Sequence, residues 1–272
     1  MVGGRGQDML KAEGLEYEAN GDGEAVLLIH GAHIADAFLP LTREASLADR
    51  YRLIRYRRRG FAGSDPHSGP FSIEQQAQDA LALLERLDVE RAHLVGHSYG
   101  GAIAVQLAIE APSLVHSLVV LEPAIMPADT AAAFVESSEP LLAAYRSGDA
   151  AKAVDLFLSM VCGSDWRTEV ANSVPGGPEQ AENDAATFFE VEFPALQAWV
   201  FDNDRASRIS QPVLHVIGSE SGPLFEAVKQ NFQSLIPHTE EVVVPGVNHL
   251  LQMRDSKLVA EPIADFLSRH PL

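Results

Sequence analysis

The stretch Gly96-His97-Ser98-Tyr99-Gly100-Gly101 lies between an apolar run at residues 92–95 and a helix-forming run at residues 102–108. A strand that ends in G-x-S-x-G and passes directly into a helix places the serine on a sharp, strained turn. The flanking glycines indicate that strand and helix approach closely, because a Cβ there would collide with neighbouring backbone. An incidental serine in a glycine-rich turn is the alternative. Strand before and helix after favour Ser98 as a nucleophile.

Strand and helix patterns alternate on both sides of this stretch. A continuously apolar run is typical of a strand that is buried on both faces of a sheet, and residues 25–29 form such a run. Further strands are predicted at residues 51–56, 92–95, 117–121, 212–218 and 241–244, and helices at residues 72–87 and 256–269. This alternation predicts an α/β fold with a mostly parallel central sheet and helices on both faces. Functional residues are then expected at the carboxyl ends of the strands.

The N-terminal part of the chain shows a different pattern. Residues 15–19 alternate between apolar and polar side chains, as an edge strand does. The following Asn20-Gly21-Asp22-Gly23 is typical of a hairpin turn. We therefore predict an edge strand that forms a hairpin with the buried strand at residues 25–29.

The strand pattern disappears between residues 126 and 208, where helices are predicted at residues 131–146, 149–161 and 181–193. The breaker run Ser173-Val174-Pro175-Gly176-Gly177-Pro178 separates the last two. We interpret residues 126–208 as a helical cap inserted in a core made of residues 1–125 and 209–272. The insertion holds both tryptophans, and we expect most of its aromatic side chains to form its own small core and a few to face Ser98.

Composition restricts the classes of partner. A formal net charge of −18 argues against nucleic acid and against anionic membrane surfaces. The seven arginines between Arg43 and Arg59 are interpreted as a solvated face. The single Cys162 requires no oxidising compartment, and an N-terminus without an apolar segment favours a cytoplasmic protein. Scattered histidines without nearby carboxylates at ligand spacing predict no metal site.

The chain resembles the α/β-hydrolase superfamily over nearly its whole length. Beside the serine turn and the helical insertion, the matching pieces are His30-Gly31, Arg59-Gly60-Phe61-Ala62-Gly63-Ser64-Asp65 and Pro245-Gly246-Val247-Asn248-His249. The resemblance implies a hydrolase with a Ser–acid–His triad in that chain order and no cofactor. His249 lies where this fold keeps its general base. The N–H groups of Tyr99 and Ala32, or of Gly31 in place of Ala32, would form the oxyanion hole.

The acid of the triad does not follow the commonest pattern of the superfamily. In that pattern an aspartate lies three residues after the glycine that ends the penultimate strand. Counting from Gly218 leads to Ser221. Glu122 is the better candidate, because it ends the strand that a short crossover places beside the nucleophile strand. Glu220 stays an alternative, as do Asp202 and Asp204. Haloalkane dehalogenases, with an aspartate nucleophile, and fungal zearalenone lactonases, which keep serine, carry a glutamate at the position of Glu122.

We therefore expect a cofactor-independent serine hydrolase that cleaves an ester or lactone of a moderately large apolar molecule, similar to carboxylesterases and lactonases. A carbon–carbon bond hydrolase of aromatic degradation is one alternative. A ligand-binding receptor with the same fold and slow turnover is another. The expected partner is the small-molecule substrate. The oligomeric state is open, with a homodimer as one possibility.

Overall fold

Eight strands form one sheet in residues 9–272, which are the residues that the computed structural model describes. They are β1 (Leu10–Ala12), β2 (Leu15–Asn20), β3 (Glu24–Ile29), β4 (Tyr51–Arg57), β5 (Ala92–His97), β6 (Val115–Leu121), β7 (Val213–Gly218) and β8 (Glu240–Val244). Their order across the sheet is β1-β2-β4-β3-β5-β6-β7-β8. Pairs from β4 to β8 are parallel, and the pairs β1–β2 and β2–β4 are antiparallel. The predicted α/β fold with a mostly parallel sheet is confirmed.

The helices of the described residues begin and end as follows: α1 (Ala45–Ala48), α2 (Ile73–Arg86), α3 (Tyr99–Glu110), α4 (Ala128–Ser137), α5 (Glu139–Arg146), α6 (Ala150–Cys162), α7 (Trp166–Ser173), α8 (Gly177–Asn183), a π-helix (Thr187–Glu192), α9 (Phe193–Ala198), α10 (Asn203–Ala206), α11 (Gly222–Leu235), α12 (Leu251–Arg254) and α13 (Ser256–Arg269). A short 3₁₀ helix covers Leu41–Arg43. None of the helices in this part of the chain is long and apolar enough to cross a bilayer.

Two apolar cores lie on opposite faces of the sheet. Successive strand residues point to opposite faces. Accordingly Leu27 and Ile29 of β3 pack in the core beneath α2 and α3, whereas Val26 and Leu28 pack in the core beneath α1 and α13. The continuous apolar run at residues 25–29 therefore has a structural reason, because both faces of β3 are covered.

The N-terminal hairpin prediction is wrong. β2 pairs with β4, which separates β2 from β3, and β1 rather than β2 lies at the edge of the sheet. The glycines of the Asn20-Gly21-Asp22-Gly23 loop serve another purpose. A Cβ at Gly23 would lie 2.0 Å from the carbonyl oxygen of Arg50, so the loop passes closely against the start of β4. The turn signal marked a reversal of the chain without specifying the partner strand.

Every regular element between β6 and β7 is helical in residues 126–208, which we call the helical segment. The predicted helix at residues 131–146 is divided at Ser138, whose hydroxyl donates to the carbonyl oxygen of Phe134 at 2.7 Å. The predicted helix at residues 181–193 is helical but divided at Asp184, since α8 ends at Asn183 and a π-helix follows at Thr187–Glu192. Pro194 has no N–H to continue a regular i→i−4 ladder at the end of that π-helix.

A third apolar core joins the helical segment to loops at the carboxyl ends of the strands. It combines buried residues of α6 to α9 with Ile34 and Ala37 after β3 and with Leu250 and Met253 after β8. The helical segment therefore packs directly over the edge of the sheet at which functional residues were expected.

Strand β8 ends the sheet opposite β1 and pairs with β7 alone. It begins with the exposed Glu240 and Glu241, and Val243 is 49% exposed. Arg269 of α13 donates to both carboxylate oxygens of Glu240 at 2.9 and 2.7 Å. The outer side of β8 is therefore open and lined by charge.

Candidate active site

Ser98 occupies the turn between β5 and α3. Its backbone angles, φ 52° and ψ −119°, are ones that a non-glycine residue adopts only when its surroundings hold it there. The N–H of Ser98 donates to the carbonyl oxygen of Leu121 at 2.9 Å. Its own carbonyl oxygen accepts from the N–H groups of Gly101 and Ala124, both at 2.9 Å. The end of β6 and the loop after it thus fix the strained turn.

Two glycines allow this turn to pack closely. A Cβ at Gly100 would lie 2.2 Å from the carbonyl oxygen of Ile29, and a Cβ at Gly96 would lie 2.5 Å from that of Gly100. Both distances are far below van der Waals contact. The first turn of α3 is therefore pressed against the end of β3, which brings the loop after β3 beside Ser98.

Glu122 and His249 form a buried pair at the carboxyl ends of β6 and β8. The Nδ1 atom of His249 lies 2.6 Å from Oε2 of Glu122. The other carboxylate oxygen accepts the N–H of Gly218 at 2.8 Å. Because an ionised carboxylate can only accept hydrogen bonds, Nδ1 of His249 carries the hydrogen and Nε2 keeps a free lone pair. This is the tautomer that a general base requires.

The alternative acids lie elsewhere. The side chain of Glu220 is 55% exposed and lies 3.6 Å from Arg254. Asp202 caps α10 by accepting the N–H of Arg205, and Asp204 is an exposed residue of that helix. Among the ion pairs of residues 9–272, His249 contacts Glu122 and none of these three.

Three further side chains hold the loop that carries His249. The ring of Phe225 stacks on the imidazole with centroids 4.0 Å apart. Nε2 of His97 donates to the carbonyl oxygen of His249 at 2.9 Å. The amide of Asn248 donates to the carbonyl oxygen of Cys162 in α6, and its oxygen accepts the N–H of Leu250 at 3.0 Å. Core and helical segment therefore both position the candidate base.

His97 is a neutral neighbour of His249. Burial, with the adjacent His249 as a smaller cause, holds the pKa of His97 well below its usual range. A neutral His97 adds no positive charge beside the imidazolium that His249 would become. The hydrogen bond from His97 to the carbonyl oxygen of His249 therefore holds this loop without adding charge to the site.

Ser98 and His249 line the same cavity, as do Ala32 and Tyr99. In residues 9–272 no hydrogen bond joins Ser98 Oγ to His249, and no acceptor is found for the N–H groups of Ala32 and Tyr99. Catalytic hydrogen bonds are often long before substrate binds. Two free N–H groups that flank a serine are the arrangement an oxyanion hole needs.

The cavity has a volume of about 60 Å³ and an apolar wall without any Asp, Glu, Lys or Arg side chain. Its wall includes Phe225 of α11 and four aromatic residues of the helical segment, Phe134, Phe157, Phe188 and Phe193. A wider groove of about 650 Å³ adjoins it, and both are lined by Ala124, Met126 and Leu196. The space next to Ser98 therefore suits an uncharged apolar group.

A buried polar cluster behind Ala32 escaped the sequence analysis. The interpretation of the arginines as a solvated face is wrong for Arg58, which is 2% exposed and pairs with Glu192 of the π-helix. The alternation of strand residues could have indicated this. Continued beyond β4, it places Arg58 on the same face of the sheet as the buried Ile54 and Tyr56, and Arg57 on the opposite face. Its partner lies 134 residues further along the chain, and no pattern pointed to it.

Comparisons with known proteins identify the family. The chain belongs to the alpha/beta hydrolase fold family, which matches residues 24–256. It is 27% identical over 264 residues to RutD of Variovorax paradoxus, a candidate carbamate hydrolase, with 94% of this chain and 96% of that protein covered.

Two solved structures illustrate the likeness in fold. An esterase from Thermogutta terrifontis superposes with a TM-score of 0.76 at 22% identity, and 94% of each chain is covered. The enol-lactonase from Burkholderia xenovorans superposes with a TM-score of 0.73 at 20% identity, and 93% of this chain and 96% of that chain are covered. At such identities the likeness concerns the fold.

Proposed function

We propose that this protein is a cofactor-independent serine hydrolase that cleaves an ester or lactone of a moderately large apolar molecule. The observation that carries the proposal is the 2.6 Å contact of buried Glu122 with Nδ1 of His249, which lines the same cavity as Ser98. A serine on a strained turn, a histidine in the base tautomer and a buried carboxylate are the three groups that acyl transfer to serine requires.

The chemistry follows from these positions. His249 Nε2 takes the Ser98 proton as Oγ attacks the substrate carbonyl carbon, and the carbonyl oxygen becomes an oxyanion held by the N–H groups of Ala32 and Tyr99. Glu122 stays ionised and stabilises the imidazolium. Collapse of the tetrahedral intermediate breaks the bond to the alcohol oxygen, which receives the proton from His249. Water then attacks the acyl-enzyme by the same steps and releases the acid.

The walls of the cavity support an uncharged apolar substrate, because no charged side chain among the lining residues could pair with an ionic group. We also propose that the helical segment acts as a cap on a core formed by residues 1–125 and 209–272. The structural neighbours are named as an esterase and a lactonase, and the Variovorax paradoxus relative is named for a carbamate. Esters, lactones and carbamates all carry an acyl group. These names support acyl transfer over cleavage of a carbon–carbon bond.

The experiment is the Ser98→Ala variant, assayed by labelling with a fluorophosphonate and by release of p-nitrophenol from an aryl ester. We expect labelling to disappear and kcat to fall by more than about a thousandfold, since loss of a triad serine usually costs at least that much. Ser221→Ala is the matched control, because Ser221 is another serine near the site whose buried hydroxyl has no partner among the described residues.

The control should be labelled as wild type is. A Ser98→Ala variant that keeps its label or its turnover would contradict the proposal. A folded wild-type protein that binds apolar esters without label or turnover would favour the receptor instead.

A further inference from the structure

An ion pair between Arg58 and Glu192 lies buried directly behind the loop that carries Ala32. Arg58 is 2% exposed and Glu192 is fully buried, and the guanidinium Nη1 donates to Oε1 of the carboxylate. Taking two charges out of water is costly, so such a pair is retained only where additional hydrogen bonds satisfy it. The other N–H groups of Arg58 show which part of the structure the ion pair positions.

The guanidinium is bound to the backbone of the candidate oxyanion loop. Its Nη2 donates to the carbonyl oxygen of Gly31 at 2.8 Å, and its Nε donates to that of His30 at 3.1 Å. The carbonyl of Gly31 and the N–H of Ala32 belong to one planar peptide group. A cation that binds the oxygen of this group therefore fixes the direction of the N–H and polarises it toward stronger donation.

His30 adds a second donor to the same oxygen. Its Nδ1 lies 2.8 Å from the carbonyl oxygen of Gly31, and its Nε2 accepts the backbone N–H of Arg58 at 3.0 Å. The two contacts require the tautomer with hydrogen on Nδ1. Burial, followed by the charge of Arg58, holds the pKa of His30 well below its usual range, so the ring stays neutral and keeps this tautomer.

The guanidinium also contacts Tyr99, which supplies the other candidate donor. Its carbon lies 5.0 Å from the centroid of the Tyr99 ring. Through Nη1 it donates to Gln76 Oε1 at 2.8 Å, and Gln76 Nε2 donates to the Tyr99 hydroxyl at 2.8 Å. One side chain thus contacts both the Gly31–Ala32 peptide group and Tyr99, which supply the two candidate oxyanion donors.

Glu192 connects this arrangement to the helical segment. It ends the π-helix, and burial raises its pKa while Arg58 opposes that shift. Its second oxygen is buried without a partner in the described part of the chain. Since Arg58 supplies the charge that Glu192 faces, the position of the π-helix and the position of the oxyanion loop depend on each other.

We propose that Arg58 is a positioning residue that orients and polarises the Gly31–Ala32 peptide group for oxyanion binding, and that Glu192 couples the seating of the helical segment to that group. This inference rests on the proposed function. The oxyanion exists only after attack, so the contribution of Arg58 falls on the transition state. Removing it should lower kcat and leave KM nearly unchanged.

The test uses the full chain with the double substitution Arg58→Met and Glu192→Met, which removes both charges and approximately keeps their volume, so that neither ion is left unpaired. We expect kcat for an aryl ester to fall about 100-fold, the usual effect of losing one oxyanion donor, with KM within about threefold. The affinity for an aryl trifluoromethyl ketone, which forms an anionic adduct with the serine, should fall by a similar factor. The affinity for the corresponding alcohol, which forms no adduct, should not change.

The matched control is the double substitution Arg59→Met and Asp79→Met, which removes the neighbouring pair of hydrogen bonds at 2.9 and 3.0 Å without contacting residues 31, 32 or 99. It should keep the kcat of wild type. If the Arg58 and Glu192 double variant does not fold, the Arg58→Lys variant tests the inference instead. Lysine keeps the charge but cannot donate at the same time to the carbonyl oxygens of residues 30 and 31 and to Gln76. It should show the same loss in kcat and in ketone affinity.

A folded variant with kcat and ketone affinity within about threefold of wild type would overturn the inference, as would a loss confined to KM. Failure of the proposed function gives a different result, because wild type and the Arg59 control would then show no turnover that depends on Ser98.

Discussion

Glu122 is held in an unusual conformation by what it binds. Its backbone lies in the left-handed region, with φ 44°, and its carboxylate is fully buried. Both oxygens are occupied, one by the N–H of Gly218 and the other by Nδ1 of His249. A neutral amide at this position would satisfy Gly218 equally well. What it would lack is the charge that stabilises a protonated His249.

We therefore expect Glu122→Gln to lower kcat by about four orders of magnitude, because the amide removes the charge and presents an N–H that favours the wrong tautomer of His249. Glu220→Gln should stay within about tenfold of wild type, since Glu220 contacts Arg254 at the surface. Steady-state kinetics of both variants on one aryl ester make the comparison. If Glu220→Gln has the large effect and Glu122→Gln the small one, Glu220 rather than Glu122 is the triad acid. The roles of Ser98 and His249 would not change.

The sequence could predict the position of Glu122 because parallel neighbouring strands end at the same edge of a sheet. β6 lies beside β5, so the residue that follows β6 lies near the serine that follows β5. No such rule exists for Arg58 and Glu192. One follows a strand and the other ends a π-helix, and they meet only because the helical segment packs over the loops.

Helix α4 illustrates how an element shapes the cavity. None of its residues is fully buried, yet Phe134 reaches the cavity beside Ser98 while the adjacent Val135 faces only the neighbouring groove. The two side chains lie on one short helix and differ in the space they line. They therefore separate the effect of the cavity wall from that of the helix.

We expect Phe134→Ala to raise KM for an aryl hexanoate by about tenfold and to leave KM for the acetate nearly unchanged, because only the longer acyl chain contacts the lost ring. Val135→Ala should leave KM for both esters nearly unchanged. Michaelis constants for the two esters in the three proteins give the answer. If KM rises equally for hexanoate and acetate in a folded Phe134→Ala variant, the Phe134 ring serves only the fold.

Strands were easier to predict than the helices of the helical segment. A strand covered on both faces needs mostly apolar residues. β3 has an unbroken apolar run at residues 25–29, and β5 and β7 are apolar apart from the buried His93 and His215 and the residues that end each strand. The helical segment has apolar residues at helical spacing throughout, so spacing alone could not show the break at Ser138 or the change to a π-helix at Thr187. Those boundaries depend on a side-chain hydrogen bond and on packing against distant loops.

Buried histidines make the stability of the whole molecule depend on pH. Burial lowers the pKa of His33 to about 3 and those of His93 and His215 to about 4. The ordinary value near 6.5 applies to the unfolded chain. When pH falls below that value the unfolded state binds protons that the folded state cannot, so the stability that depends on these neutral histidines is fully present above about pH 6.5 and is lost as pH falls toward their folded-state pKa values.

His33→Phe isolates one of these groups, because His33 contacts the rings of Phe157, Phe188 and Phe189. From pH 7 to pH 5 the free energy of unfolding of wild type should fall by about 2 kcal/mol more than that of the variant. Phenylalanine at φ 63° is strained, but this cost is the same at both pH values and cancels in the difference.

Urea unfolding of both proteins at the two pH values measures this difference. An identical decline in wild type and variant would mean that His33 is protonated in the folded state as readily as in the unfolded chain.

The open side of β8 bears on how concentrated this protein can become. An unpaired strand edge is a template onto which a second chain can add, and charged side chains at the edge oppose that addition. Glu240 and Glu241 stand at the start of β8 in a molecule of net charge −18, so two copies repel one another as their edges approach. Near the isoelectric point of about 4.8 this repulsion vanishes. At that same acidity protonation of the buried histidines in the unfolded state weakens the fold, so the net charge that keeps copies apart and the stability of the fold are lost over the same range of pH.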